Sequence, residues 1–349
     1  MERRFYVKYP IISSCPLRCP FCVNSKERKN WEKDLSKDEL KELADYLNRN
    51  PIIGVTVTGG EPFSSPNLLS FCSELSVPFG IITSGTVGRD EVLPQLFKLP
   101  NLSFITISID CLDKAAVQGI RGKDVLDDQL RFLDRMIELN HERPVKVRIN
   151  INTVLTKLNK DYLIQSIEEH IKKDIDKVYI LRMRPSGTEA DANIMLQSEE
   201  YEEFTVNLYK RLADVDENAW NKTVIRYLPV CASSYYKDKY HIRMNVKNDQ
   251  CGMNRNTIYL NNRAEISNCG CLHGKYPRTR LVDTDLDKLY IEQYQPVRQV
   301  LKAPLKSYVT CSTCPQYQLD CFPCIRFNQE DAEIIFEECE YYLNNESKR

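Results

Sequence analysis

Three cysteines stand close together near the start of the chain, in Cys15-Pro-Leu-Arg-Cys19-Pro-Phe-Cys22. The C-x3-C-x2-C spacing lets neighbouring thiolates converge on one metal centre, yet three ligands are one short of a closed structural zinc or Fe4S4 site. A cluster tied by three thiolates keeps one iron open to another ligand. On spacing alone a zinc knuckle or a chance grouping stays open as well. A second cysteine field lies far downstream: Cys231, Cys251, Cys269 and Cys271, then Cys311-Ser-Thr-Cys314, Cys321-Phe-Pro-Cys324 and finally Cys339. Two C-x2-C pairs in such proximity are a strong metal signal, and zinc-ribbon-like sites would use the same thiols as iron–sulfur clusters. Cys72 and Cys111 lie alone in apolar stretches and read as small buried hydrophobes. His141, His170, His241 and His273 show no ligand spacing; Tyr235, Tyr236 and Tyr240 fit a cleft lining and a structural aromatic cluster equally well.

The whole chain bounds what these groups serve. It has 349 residues, 14 cysteines, 42% hydrophobic residues and a net charge of −1. That suffices for one full-sized catalytic domain and a smaller one. With no long block of like charge, nothing asks for a nucleic-acid groove or an anionic membrane surface. Met1-Glu2-Arg3-Arg4 leads into the alternating stretch 5–12 and not into an apolar signal core, and no uncharged run approaches a bilayer span. The expectation is a cytoplasmic enzyme whose clustered thiols bind metal instead of pairing as disulfides.

The elements that must position the first three thiols alternate between β-rich runs and helical patterns from residue 5 to about 184, the signal for βα units around a parallel sheet. Six strands are expected, at 5–12, 53–58, 79–83, 103–109, 145–154 and 177–183. Between them, 37–48 reads as a helix opened by a capping box of Ser36 and Glu39, and 125–140 as one carrying Leu126, Leu130, Leu133 and Ile137 at helical spacing. Functional loops should gather at the strands' C-terminal ends. A helix over 196–213 bridges to the cysteine-rich part. There a hairpin, 257–260 with 265–268 turned through Asn261-Asn262, precedes a last helix near 331–343. The expected division is 1–190, a linker at 191–230, and 231–349, where bound metal supplies part of the stability.

The spacing of Cys15, Cys19 and Cys22, the aromatic Phe21 and the place after strand one together resemble the radical S-adenosylmethionine (SAM) superfamily. Thr58-Gly59-Gly60-Glu61-Pro62, one βα unit later, resembles that family's GGEP element. Two glycines permit close backbone approach, and an anionic Glu61 suits the ammonium of SAM. The resemblance implies a partial (β/α)6 barrel with a small irregular cysteine-rich C-terminal domain. It also implies a [4Fe-4S] cluster on Cys15, Cys19 and Cys22 whose open iron chelates SAM, and radical chemistry that belongs to the cofactor. Further candidate SAM contacts follow at the strand ends: Ser84 in a TNGT-like turn, Ser108 and Asp110 at the end of strand four, Arg121 near the SAM carboxylate, and Asn152 and Leu181 on the ribose and adenine side. Ordinary capping or salt bridging explains Ser108, Asp110 and Arg121 as readily.

The downstream cysteines resemble the SPASM extension, which implies two auxiliary [4Fe-4S] clusters. One would take Cys251, Cys269 and Cys324, with Cys231 or Cys271 as fourth ligand, and the other Cys311, Cys314, Cys321 and Cys339. The x6 and x2 gaps around Cys321, and Ala264 where glycine is usual, depart from that pattern. The resemblance implies a peptide- or protein-modifying maturase served by an external donor such as flavodoxin or ferredoxin. Gly270 after Cys269 speaks against a sulfatase-maturating enzyme. The short stretch before Cys15 leaves no fused leader-peptide domain, so a peptide would be recognised by the barrel and C-terminal region or by a separate protein. The alternatives are a dehydrogenase or epimerase of a small metabolite, and a non-catalytic iron–sulfur or zinc protein.

Overall fold

The computed structural model describes residues 5–22, 33–183, 192–215, 219–226, 231–247, 256–267 and 279–295. Six parallel strands form where the pattern places them: β1 (Phe5–Pro10), β2 (Ile52–Thr58), β3 (Phe79–Thr83), β4 (Leu102–Ser108), β5 (Arg148–Leu155) and β6 (Lys177–Arg182). Their order in the sheet follows the chain. The longer intervening helices are α1 (Lys37–Arg49), α2 (Leu68–Glu74), α3 (Lys114–Arg121), α4 (Leu126–His141) and α5 (Lys160–Ile171), with a single turn, Leu93–Leu96, between β3 and β4. Because parallel neighbours each need a crossover, all six C-terminal strand ends share one rim.

Local chemistry explains the helix boundaries. Ser36 and Glu39 close the expected capping box, with Glu39 N–H donating to Ser36 Oγ at 3.3 Å and Ser36 N–H to Glu39 Oε2 at 2.8 Å. These bonds, with Arg263 adding to them, hold the Glu39 carboxyl down at about 2. The buried stripe of α1, Leu40, Leu43, Ala44 and Leu47, has the spacing of a single apolar face. Helix α3 starts at Asp113, whose side chain accepts from Ala116 N–H, and stops at Gly122, in the left-handed conformation with φ 75°.

The sheet is longer than the six strands expected. Helix α6 (Ser198–Val215) leads to β7 (Thr223–Arg226), parallel to β6; after helix α7 (Cys231–Tyr240) the two-residue strand β8 (Val246–Lys247) extends the run to eight parallel strands. At the other edge β9 (Thr257–Leu260) lies parallel to β1 and carries β10 (Ile266–Ser267) antiparallel. The edges are β10 and β8, so the sheet is an open, partial barrel. The expected hairpin thus exists, and it is joined to the N-terminal sheet. Its turn is fastened there by Arg263 to Glu39 at 2.8 Å, and by Asn262 Nδ2 donating to Asp34 Oδ1 at 2.8 Å. Among the described residues no helix is long and apolar enough to cross a membrane. The expected helix at 331–343 lies outside the described residues.

Candidate active site

The loop 11–22 leaves β1 at the shared rim and carries Cys15, Cys19 and Cys22, all half-buried. Asp34 ties its start through Ser13, and two further neighbours hold it beside the cysteines. The first is the turn after β2. Gly60 N–H donates to Ile12 O at 2.7 Å and Glu61 N–H to Ser14 O at 2.9 Å, so this turn runs along the residues just before Cys15. A Cβ on Gly60 would stand 1.9 Å from Ser14 O, and one on Gly59, with φ 156°, 2.6 Å from Ile12 O. Glycine is required at both positions for backbone to meet backbone.

Glu61 is almost wholly buried, 1% exposed, and its carboxylate is fully engaged within the protein. Oε1 accepts from Phe63 N–H at 3.1 Å and Thr83 Oγ at 2.6 Å; Oε2 accepts from Ser84 N–H at 2.7 Å and Ser84 Oγ at 2.5 Å. It therefore ties the end of β2 to the end of β3, and caps the 3-10 turn Pro62–Ser64. These bonds to a charged acceptor are the strong kind.

The second neighbour is Arg121, the last residue of α3. Its carbonyl accepts from Arg18 N–H at 3.2 Å. Its buried guanidinium reaches three partners: Nε stands 2.6 Å from Asp110 Oδ2, Nη1 donates to Cys19 Sγ at 3.5 Å, and Nη2 to Ser108 O at 3.3 Å. The Asp110 contact is made by charge more than by an aligned hydrogen bond. Phe21 lies against the guanidinium, 5.8 Å from ring centroid to Cζ. Burial works against the Arg121 charge, but Asp110 and Cys19 outweigh it and the group is held more firmly protonated than usual. Burial pushes the Cys19 thiol up, and Arg121 partly reverses this.

Asp110 is itself fixed, its Oδ1 accepting from Val154 N–H at 3.3 Å and its carbonyl from Thr153 Oγ at 3.0 Å and Asn159 Nδ2 at 3.1 Å. Gln129 on α4 adds a tie not anticipated from the sequence: its Nε2 donates to Ser84 O at 3.0 Å and Ser108 O at 2.7 Å, bridging the ends of β3 and β4. The signal was a glutamine at i+3 from Leu126, on the buried stripe that continues through Phe132, Leu133 and Met136.

The structure therefore brings Cys15, Cys19, Gly59, Gly60, Glu61, Ser84, Ser108, Asp110 and Arg121 into one connected network on the rim. Pro62 is buried beside it. Asn152 lies opposite Ser108 in register, and its Oδ1 is buried without a hydrogen-bond partner. Leu181 is half-buried and pairs in register with Val154 and Arg226. Cys72 and Cys111 are buried as expected, and burial pushes both thiols up, Cys111 to about 11. Cys231 begins α7. Cys251, Cys269, Cys271, Cys311, Cys314, Cys321, Cys324 and Cys339 lie outside the described residues.

The donor set suits an iron–sulfur cluster. Three half-buried thiols share one short loop, one ligand fewer than a closed structural site takes, which leaves a bound cluster one open iron.

Known proteins agree with this geometry. Residues 9–170 match the Radical SAM superfamily, and this part of the chain is a radical SAM domain. A GTP 3',8-cyclase of Mannheimia succiniciproducens is 23% identical over 188 residues, 52% of this chain and 54% of that protein. A PqqA peptide cyclase of Methylorubrum extorquens is 31% identical over 131 residues, 36% of this chain and 33% of that protein. The matches thus span about half, or a third, of these relatives. Among solved structures, SuiB of Streptococcus suis bound to S-adenosylmethionine superposes with a TM-score of 0.70 at 17% identity, covering 95% of this chain and 75% of that one. anSMEcpe with bound AdoMet and a peptide gives 0.70 at 16%, covering 99% and 98%. At such identities the likeness is one of fold.

Proposed function

We propose that this chain is a radical SAM enzyme that modifies a ribosomally made peptide or protein, by cross-linking, thioether formation, epimerisation or side-chain oxidation. The observation that carries the reading is the three-thiol loop of Cys15, Cys19 and Cys22, locked by Gly60 and Arg121 at the rim of an open parallel sheet. When bound there, a reduced [4Fe-4S] cluster supplies the electron that cleaves SAM to a 5′-deoxyadenosyl radical able to remove a hydrogen atom.

The chain's own residues orient and enclose. Gly59 and Gly60 let the turn after β2 lie flat against the cysteine loop. The carboxylate of Glu61 holds the ends of β2 and β3 together, which leaves the backbone of 59–61, rather than that carboxylate, to face the amino end of SAM. Asn152 Oδ1, a buried acceptor in want of a donor, suits a ribose hydroxyl. Leu181 offers apolar surface to the adenine.

A peptide substrate is supported by three relatives: the PqqA peptide cyclase, SuiB bound to precursor peptide SuiA, and anSMEcpe with bound peptide. The match to a GTP 3',8-cyclase favours a second reading, a small-molecule substrate. Cys231 to Cys339 are assigned to two auxiliary [4Fe-4S] clusters, and reducing equivalents to a cytoplasmic flavodoxin or ferredoxin.

The test is anaerobic reconstitution with dithionite, SAM and a candidate precursor peptide. The reading expects 5′-deoxyadenosine and a mass shift mapped to one peptide residue. No 5′-deoxyadenosine above background from fully iron-loaded protein would sink it. 5′-Deoxyadenosine spent on a nucleotide or sugar alcohol, with no peptide altered, would favour the small-molecule reading.

A further inference from the structure

Arg121 was expected at the SAM carboxylate, yet each of its guanidinium nitrogens already has a partner within the protein. Nε meets the wholly buried Asp110, Nη2 meets Ser108 O, and Nη1 points at Cys19 Sγ. The guanidinium is planar and its fork is rigid, so two fixed partners aim the third nitrogen. Here Asp110 and Ser108, anchored to β4 and β5, aim Nη1 at a thiol 102 residues away in sequence. Phe21 closes over the group, and the Arg121 carbonyl holds Arg18 N–H, so the same residue fastens the loop on both sides of Cys19.

We infer that Arg121 is a positioning residue that donates a hydrogen bond to the Cys19 thiolate and thereby raises the reduction potential of the cluster, with Asp110 orienting it. This rests on the proposed cluster at Cys15, Cys19 and Cys22. The physical basis is general: one-electron reduction adds negative charge to a cluster, and both a hydrogen bond to a ligand sulfur and a nearby buried cation stabilise that charge. A fixed cation in a site with little water acts more strongly than one on the surface. The role makes the cluster easier for a biological donor to reduce, and leaves the SAM carboxylate to other groups.

The test compares wild type with Arg121→Gln, and with Asp110→Asn/Arg121→Gln, which leaves no unpaired buried charge should the single variant fold poorly. After anaerobic reconstitution, the readouts are the midpoint potential of the EPR signal absent from Cys15→Ala, and the dissociation constant for SAM by equilibrium dialysis. Arg121→Gln should shift the potential to more negative values by at least a tenfold change in the one-electron equilibrium, about 59 mV. The double variant should shift it in the same direction by less. Affinity for SAM should change less than threefold. A potential equal to wild type in both variants overturns the inference, as does a tenfold loss of SAM affinity with the potential unmoved, which would return Arg121 to the SAM carboxylate. Wild-type protein that shows no signal dependent on Cys15 overturns the cluster assignment, and this inference with it.

Discussion

The two halves of the rim are built differently. At the ends of β1 to β4 most polar groups are spent on one another, although Gln129 Oε1 is buried without a hydrogen-bond partner: Glu61 on Thr83 and Ser84, Gln129 Nε2 on Ser84 and Ser108, Arg121 on Asp110, Ser108 and Cys19. At the end of β5, Asn152 Oδ1 is buried with nothing to accept from. A closed network costs little to bury and resists movement, whereas an orphaned acceptor is a standing penalty that a ligand can relieve. Under the proposed function, the first half is the mount for the metal cluster and the second the surface for what the cluster acts upon.

Substitutions should separate the halves. Gly60→Ala should have the largest effect, because its Cβ overlaps the Ser14 carbonyl. A loss of about 3–4 kcal/mol by urea unfolding and little iron retained on the cysteine loop are expected. Gly119→Ala, where a Cβ meets nothing within 4 Å, should instead stabilise by about 0.5–1 kcal/mol. Equal behaviour of the two would show that the loop does not depend on the close approach.

His170, in the last turn of α5 and so at the end of the sheet away from the rim, is a separate soft spot. Burial, helped by Lys173, lowers its pKa to about 4, so the fold holds it neutral while the unfolded chain takes up a proton from about 6.5 downwards. Its contribution is thus fully present above about pH 6.5 and is lost as pH falls towards 4, a decline on the order of 3 kcal/mol. His170→Gln should flatten the fall in urea midpoint between pH 7 and pH 4.5; an unchanged slope would mean that other groups cause it.

Glu61→Gln keeps the shape but leaves one of the donors on Thr83 or Ser84 without an acceptor. About 2 kcal/mol of stability should go. Asn152→Ala should leave the thermal midpoint within a degree or two, since no bond is lost, while weakening SAM binding about tenfold, the worth of one hydrogen bond of about 1.4 kcal/mol. A clear fall in stability with SAM affinity intact would place Asn152 with the mount and erase the contrast.

Much of the mount was legible in the residues. Each of the six strands begins and ends within a few residues of where alternation put it, and Ser36 and Glu39 announced their helix. What stayed hidden has two physical causes. Strands β7 and β8 are too short, at four and two residues, to show a period, and exist because β6 offers an edge to pair with. Long-range ties such as Arg121 to Cys19, or Asn262 to Asp34 across 228 residues, leave no local signal, because folding alone creates the proximity. Glu61 taught the converse: the motif singled it out as a ligand contact, whereas its carboxylate faces inward to the strand ends.

The most direct trial of the central assignment is 5′-deoxyadenosine formation by anaerobically reconstituted wild type and Cys15→Ala, with iron measured in both. Loss of product to background in Cys15→Ala, while iron bound elsewhere in the chain persists, is the predicted result. Undiminished SAM cleavage by that variant would contradict it.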